Sequence, residues 1–222
     1  DLDIPLYRNS ISLKKDALML AEKRKSYSSA TSLLILSSEE VVKAILVFLH
    51  SKKYHVYKIQ GAKKFFSDHR IRHQIAQLIE MGAGFISSID LWEKEKKEKK
   101  FNSKNTFLDT VINGFIDLAR ASKPLMQSMD RIKKIEKFNV LKNKGFYVDY
   151  REELIIPKEA INETLFDETK IIIERMFLFY KGVKILHHDS LCKHLPQKEI
   201  DKYQSDLKLF VNDVLKGFSF DQ

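Results

Sequence analysis

The first third of the chain holds a set of acidic, basic and imidazole side chains at helical spacing: Glu39, Glu40, Lys43, His69, Arg72 and His73. Histidine titrates near neutral pH and can transfer a proton, and a carboxylate can orient its ring. Fixed positive charge can stabilise a phosphorane-like transition state. Brought together, these residue types would suit proton transfer at a phosphate ester.

The two adjacent carboxylates point in different directions on a helical wheel with about 100° per residue. Glu39 shares a narrow polar stripe with Ser32 and Lys43, whereas Glu40 lies among apolar residues such as Leu36. A carboxylate on an apolar face costs several kcal/mol unless it is paired or protonated. We therefore expect Glu40 to meet a donor from another helix, as either a structural ion pair or a functional carboxylate.

The expected donors are His69, Arg72 and His73, whose i, i+3 and i+4 spacing places them on one side of a helix. If that helix runs antiparallel to the one carrying Glu40, the side chains converge on a polar pocket. A surface or capping role for each histidine stays open. The residues predicted to be catalytic are Glu40, His69 and Arg72, and those predicted to bind substrate include Glu39, Lys43 and His73.

A third segment, 142–150, has two lysines before an aromatic-rich stretch that contains one acid. Lys144, Tyr147 and Asp149 are predicted to bind substrate, with Tyr147 and Tyr150 closing the pocket and Asp149 orienting a His or Arg. The alternative is a packed loop with satisfied hydroxyl groups.

The elements that must position these residues are predicted to be helices, because only 7 Gly and 4 Pro interrupt the chain. Apolar spacing and capping residues predict the following helices: Ser10–Lys25, Ser29–Lys52, Phe66–Lys100, Thr106–Ala121, Pro124–Leu141, Pro157–His187 and Gln197–Lys216. We expect an all-α, antiparallel helical bundle with an irregular segment near 143–157 and helices at the C-terminal end.

The amino-acid composition limits the kinds of partner and cellular setting that we expect. A net charge of +9 favours an acidic partner such as RNA, although an AT-rich genome would give the same Lys-rich composition. No run of about 18 apolar residues predicts a membrane span, and the single Cys192 fits a reducing, cytoplasmic setting. We predict no cofactor and no metal. A divalent ion bound by Glu39, Glu40 and His69 is the minor alternative.

Three motifs resemble the AbiV family of abortive infection proteins, whose domain belongs to the HEPN group. EEVVK at 39–43 resembles the family's EExxK, and HRIR at 69–72 resembles its HxxK with Arg in place of Lys. KGFYVDY at 144–150 resembles a family segment that consists of a basic residue, any residue, the sequence LYVD and an aromatic residue. The motifs occur in the family's order and cover about residues 10–150.

The resemblance implies a HEPN-like core over 10–150, completed by helices in 157–222 as one domain, and a homodimer. It also implies phage defence by a toxic effector that arrests the infected cell through RNA cleavage or a block of translation. However, no Arg is followed by a His five to seven positions later, as in many HEPN ribonucleases. The alternative is a non-catalytic protein that binds the translation machinery or a phage protein. A phage-encoded trigger or inhibitor is expected in either case.

Overall fold

A computed structural model of the chain describes residues 2–58, 62–80, 127–150 and 154–217. Its helices in these ranges are α1 (Asp3–Arg24), α2 (Tyr27–Ser51), α3 (Lys64–Ser67), α4 (69–80), α5 (127–136), α6 (Phe138–Phe146), α7 (Pro157–Ala160), α8 (Glu163–Leu186) and α9 (Gln197–Gly217). Two 3₁₀ turns lie at Val56–Lys58 and Asp189–Lys193. The strands β1 (Asp149–Tyr150) and β2 (Leu154–Ile155) form a short antiparallel ladder.

Helix α2 is the central element of the described bundle and packs against α1, α6 and α8. Its sequence is apolar around most of its circumference, and Leu34, Val41 and Leu46 are buried. A helix that is apolar on nearly all sides must be covered on nearly all sides. Residues of α8, among them Ile172 and Met176, belong to the same apolar core.

A tight turn at Lys25 and Ser26 reverses the chain between α1 and α2. Lys25 is left-handed, with φ 52°, and its N–H donates to Ala21 O over 3.2 Å. The N–H of Ser26 donates to Leu20 O, also over 3.2 Å, which satisfies the last carbonyl groups of α1. The two helices therefore form an antiparallel hairpin.

Several predicted helix limits are wrong. Helix α1 begins at Asp3, because Pro5 is tolerated in a first helical turn, and Ser10 is an internal residue whose hydroxyl donates to Tyr7 O. The predicted helix from Phe66 is broken at Asp68, whose carboxylate accepts from Arg70 N. The helix from Pro157 is broken at Asn162, which caps α8 by accepting from Leu165 N.

The prediction of an all-α antiparallel bundle is confirmed in the described ranges, where β1 and β2 fall within the segment predicted to be irregular. The predicted helix Thr106–Ala121 and the end of the one predicted to reach Lys100 lie outside the described residues. The single-domain assignment stays a prediction. None of the described helices has the length and apolar character that a membrane span requires.

Candidate functional site

The carboxylate of Glu39 is the centre of a buried polar cluster between α2, α4 and α6. Glu39 is 2% exposed, although the wheel places it on the polar stripe of α2. That stripe is buried because α6 packs along it, and the Ser32 hydroxyl, on the same stripe, donates to Lys142 O over 2.8 Å. Helix α6 therefore brings its own polar groups to Glu39.

Both oxygens of Glu39 face donors from other helices. Arg72 donates to Oε2 from Nη2 over 2.9 Å and from Nε over 3.3 Å. Lys142 Nζ donates to Oε1 over 3.0 Å, and His73 Nε2 lies 3.2 Å from the same oxygen. His69 Nδ1 contacts Oε2. We call these five residues the Glu39 cluster.

Within the Glu39 cluster, His69 alone has an exposed side chain, at 50%, and the other four side chains are buried. Its Nδ1 contacts Glu39 Oε2 and lies 2.7 Å from Arg72 Nη2. A carboxylate can only accept and a guanidinium can only donate, so the Nδ1 proton decides which contact is bonding. A proton on Nδ1 of the neutral ring would make the contact with the carboxylate a hydrogen bond and would leave Nε2 as the ring's acceptor.

The electrostatics of the cluster keep Glu39 charged. Burial alone would raise the pKa of Glu39, but the groups contributed by His73, Arg72, Lys142 and His69 hold that pKa well below its ordinary value. Burial lowers the pKa of His73, and the positive charges of Lys142 and Arg72 add to this against the opposing effect of Glu39. His73 is therefore neutral at neutral pH.

The prediction that Glu40 meets the donors of α4 is wrong. Glu40 is partly exposed and pairs with Lys43 one helical turn away, whereas Glu39 meets His69, Arg72 and His73. In the described part of the chain, neither Glu40 nor Lys43 forms a side-chain hydrogen bond or ion pair with a member of the Glu39 cluster. The convergence of α2 and α4 was predicted correctly, but with the wrong carboxylate.

The third predicted segment supplies a residue that the prediction omitted. Lys142 lies in the buried cluster, whereas Tyr147 is 67% exposed and Tyr150 is also exposed, so these two rings do not close a pocket over Glu39. Lys144 and Tyr147 line an open groove beside Asn139. The side chain of Asp149 lies outside the described residues.

The surface next to His69 is an open, basic depression. It is lined by Lys64, Ser67, Asp68, His69, Arg70 and Asn139. Asn139 also lines the groove of Lys144 and Tyr147, so the two openings adjoin. In the described ranges, no group of three or more His, Cys, Asp or Glu side chains is arranged to hold a metal ion.

A second buried carboxylate fixes the other end of the described part of α4. Glu80 is 3% exposed and accepts from Arg131 Nε over 2.7 Å and Arg175 Nε over 2.8 Å. The Ser128 hydroxyl lies 2.9 Å from Glu80 Oε1. Ion pairs therefore hold α4 at both ends of its described length, and this fixes the position of His69. The sequence signal was an acid directly after the apolar Leu78 and Ile79.

The family model HEPN_AbiV, described as AbiV, matches residues 4–176. The chain belongs to the AbiV family. No curated protein and no solved structure matches the chain. The match includes α1, α2, α4 and α6 and hence the whole Glu39 cluster, and it ends within α8.

Membership of the AbiV family assigns the chain to abortive-infection phage defence. The three motifs that resemble the family acquire physical roles in this fold. EEVVK at 39–43 supplies the buried acid, and HRIR at 69–72 supplies the half-exposed imidazole and the buried guanidinium. KGFYVDY at 144–150 begins on the helix that carries Lys142.

Proposed function

We propose that this AbiV protein is the effector that arrests the infected cell, and that it acts on RNA at the surface around His69. The observation that carries the proposal is the pairing of a buried carboxylate, Glu39, with a half-exposed imidazole. A buried acid that fixes the tautomer and direction of a histidine is the arrangement of a general base with its orienting group. The basic depression beside His69 suits a phosphate.

The chemistry that this arrangement supports is cleavage of RNA by its own ribose. His69 Nε2 would accept the proton of a 2′-hydroxyl, and the 2′-oxygen would form a bond to the adjacent phosphorus. The bond from phosphorus to the 5′-oxygen breaks, that oxygen takes a proton from water, and a 2′,3′-cyclic phosphate remains. Arg72 is buried and bound to Glu39 and to Phe66 O, so its part is to position Glu39 and His69.

A non-catalytic interaction protein is the second candidate, and a different observation favours it. All members of the Glu39 cluster except His69 are buried. A buried network of this kind can have a purely structural role, which is to fix the packing of α2, α4 and α6. The protein would then arrest the cell by binding the translation machinery or a phage protein through its surface.

The test is cell-free translation with added protein, with RNA integrity read on a gel from the same tubes. The variants His69→Gln and Glu39→Gln are compared with wild type, and urea unfolding confirms that each is folded. His194→Gln is the matched control, because His194 is also exposed but lies at the end of the second 3₁₀ turn. A phage lysate added to parallel tubes supplies any trigger.

Loss of general-base catalysis typically costs about 10²- to 10⁴-fold in rate, and we expect that loss of RNA cleavage in His69→Gln but not in His194→Gln. Arrest with intact RNA in all tubes would contradict the ribonuclease mechanism and favour the binding protein. A translation rate unchanged by wild-type protein, with and without phage lysate, would contradict both candidates.

A further inference from the structure

The stretch between Glu40 and Asp68 contains six lysines and no acidic residue. Lys43 pairs with Glu40 and is partly buried. The other five are exposed, and Arg70 follows them on the surface. Their order in the chain is Lys52, Lys53, Lys58, Lys63 and Lys64. A surface with this charge attracts polyanions.

The loop that carries the first of these lysines is held in an uncommon backbone conformation. Lys53 has φ 64° and His55 has φ 55°, which is the left-handed region that residues with a Cβ rarely adopt. Between them, Tyr54 is buried, and its hydroxyl lies 2.9 Å from His187 Nε2 and 3.2 Å from Gln204 O. The end of α2 and this loop are therefore held by tertiary packing and by a Schellman motif, in which Tyr54 N–H donates to Leu49 O and Lys53 N–H donates to His50 O.

Two aromatic side chains of the same lysine-rich stretch are exposed to solvent. The Tyr57 ring packs against the His50 ring at a centroid distance of 4.0 Å and an interplanar angle of 37°, and it meets the Phe66 ring at 5.8 Å. Tyr57 is 41% exposed and Phe66 is 38% exposed. His50 supports the Tyr57 ring from one side, and the Tyr57 N–H donates to His50 Nδ1. The Tyr57 ring is thus held in place by His50 and remains partly open to solvent, as does the Phe66 ring.

This aromatic group is connected to the candidate site. The carbonyl of Phe66 accepts from Arg72 Nη1 over 2.9 Å, and Arg72 binds Glu39. Helix α3, which carries Phe66, ends directly before Asp68 and His69. The depression at His69 begins with Lys64 and Ser67 of α3. A chain molecule lying on Tyr57 and Phe66 would therefore continue to His69.

We propose that Tyr57 and Phe66, with the lysines around them, form a stacking subsite for a base of single-stranded nucleic acid. The inference rests on the proposed function, since it names the class of strand that reaches His69. Lysines contact the phosphates and an unpaired base stacks on the Tyr57 ring, as on other surfaces that combine basic and aromatic side chains. A duplex keeps its bases stacked on each other, so it gains only the phosphate contacts.

The test is fluorescence anisotropy of the full chain with a labelled oligouridine of about 12 nucleotides, its DNA counterpart and an RNA duplex of the same length. Tyr57→Leu keeps an apolar side chain but removes the ring, and Tyr57→Phe keeps the ring. Tyr203→Leu is the matched control, because Tyr203 is also exposed but lies on α9. Urea unfolding shows that the variants are folded.

We expect Tyr57→Leu to bind the single strand roughly tenfold or more weakly, in line with about 1–3 kcal/mol per stacked base. Tyr57→Phe and Tyr203→Leu should bind as wild type does, and the duplex should bind more weakly and be insensitive to Tyr57→Leu. Equal binding of RNA and DNA would support contacts to bases and phosphates alone, and tighter RNA binding would add a contact to the 2′-hydroxyl.

Unchanged binding by Tyr57→Leu, or equal affinity for duplex and single strand, overturns the inference. Cleavage measured on the same RNA separates it from the proposed function. Binding that depends on Tyr57 without any RNA cleavage leaves the subsite standing and contradicts the ribonuclease. RNA cleavage that is unchanged by Tyr57→Leu would contradict the stacking subsite and leave the proposed ribonuclease standing.

Discussion

Gly145 of α6 lies directly against Ser32 of α2. A Cβ at position 145 would overlap the Ser32 hydroxyl and come within 2.5 Å of Ser28 O. The same Ser32 hydroxyl donates to Lys142 O. The absence of a side chain at 145 therefore sets how closely α6 approaches α2, and this approach places the Lys142 ammonium 3.0 Å from Glu39 Oε1.

Gly145→Ala should lower the free energy of unfolding by about 1–3 kcal/mol, because overpacking at a close helix contact forces the backbones apart. The matched control is Gly182→Ala in α8, where an added Cβ meets nothing within 4 Å. That substitution should stabilise the protein by about 0.5–1 kcal/mol through helix propensity. Urea unfolding of both variants gives the comparison. A loss of stability of the same size in both would show that the contact with Ser32 does not limit the approach of α6.

Glu39→Gln should cost about 3–5 kcal/mol in the free energy of unfolding, because it leaves the buried Arg72 and Lys142 without a charged partner. Glu40→Gln breaks only the pair with Lys43, which is partly exposed, and should cost about 1 kcal/mol or less. Chemical denaturation of both proteins at pH 7 tests this. Equal losses would mean that the buried ion pairs contribute no more than a partly exposed one.

Helical periodicity was sufficient to predict which residues of α4 act together. His69, Arg72 and His73 are at i, i+3 and i+4, and this spacing places them on one side of any regular helix, so their convergence on α2 is confirmed. The type and order of the main helices follow from the same periodic pattern. These features depend on local geometry, which the sequence carries directly.

Which stripe of α2 is buried depends on which helix covers it. The helical repeat of polar and apolar residues does not contain that information. Glu39 is buried because α6 lies on the polar stripe. Lys142 was missed for the same reason, although Gly145 one turn later is the kind of residue that permits a close helix contact. The breaks at Asp68 and Asn162 depend on side-chain caps that compete with helix continuation.

The ion pairs of Glu80 should matter for the position of α4. Glu80→Gln leaves the guanidinium groups of Arg131 and Arg175 without a charged partner, and we expect a loss of about 3 kcal/mol or more in the free energy of unfolding. Arg175→Gln should cost less, because Arg175 is the more exposed of the two and Arg131 still pairs with Glu80. Urea unfolding ranks the variants. A larger loss in Arg175→Gln than in Glu80→Gln would contradict the central role of this carboxylate.

Stability should fall as the pH drops below about 6.5, the ordinary pKa of histidine. Burial lowers the pKa of both His73 and His187 in the folded protein, so the unfolded chain binds their protons first, and acid favours unfolding. Well above pH 6.5 the two histidines are neutral in both the folded and the unfolded protein, so they no longer contribute to the pH dependence of stability. Below pH 4.5, the ordinary pKa of a glutamate, protonation of the Glu39 carboxylate in the unfolded chain adds a second loss in the same direction.

Urea unfolding at a series of pH values measures the slope of stability against pH. His187→Gln should reduce the slope between about pH 7 and pH 5, and His194→Gln, at an exposed position, should leave it unchanged. A slope that is equal in all three proteins would show that burial of His187 is not linked to folding.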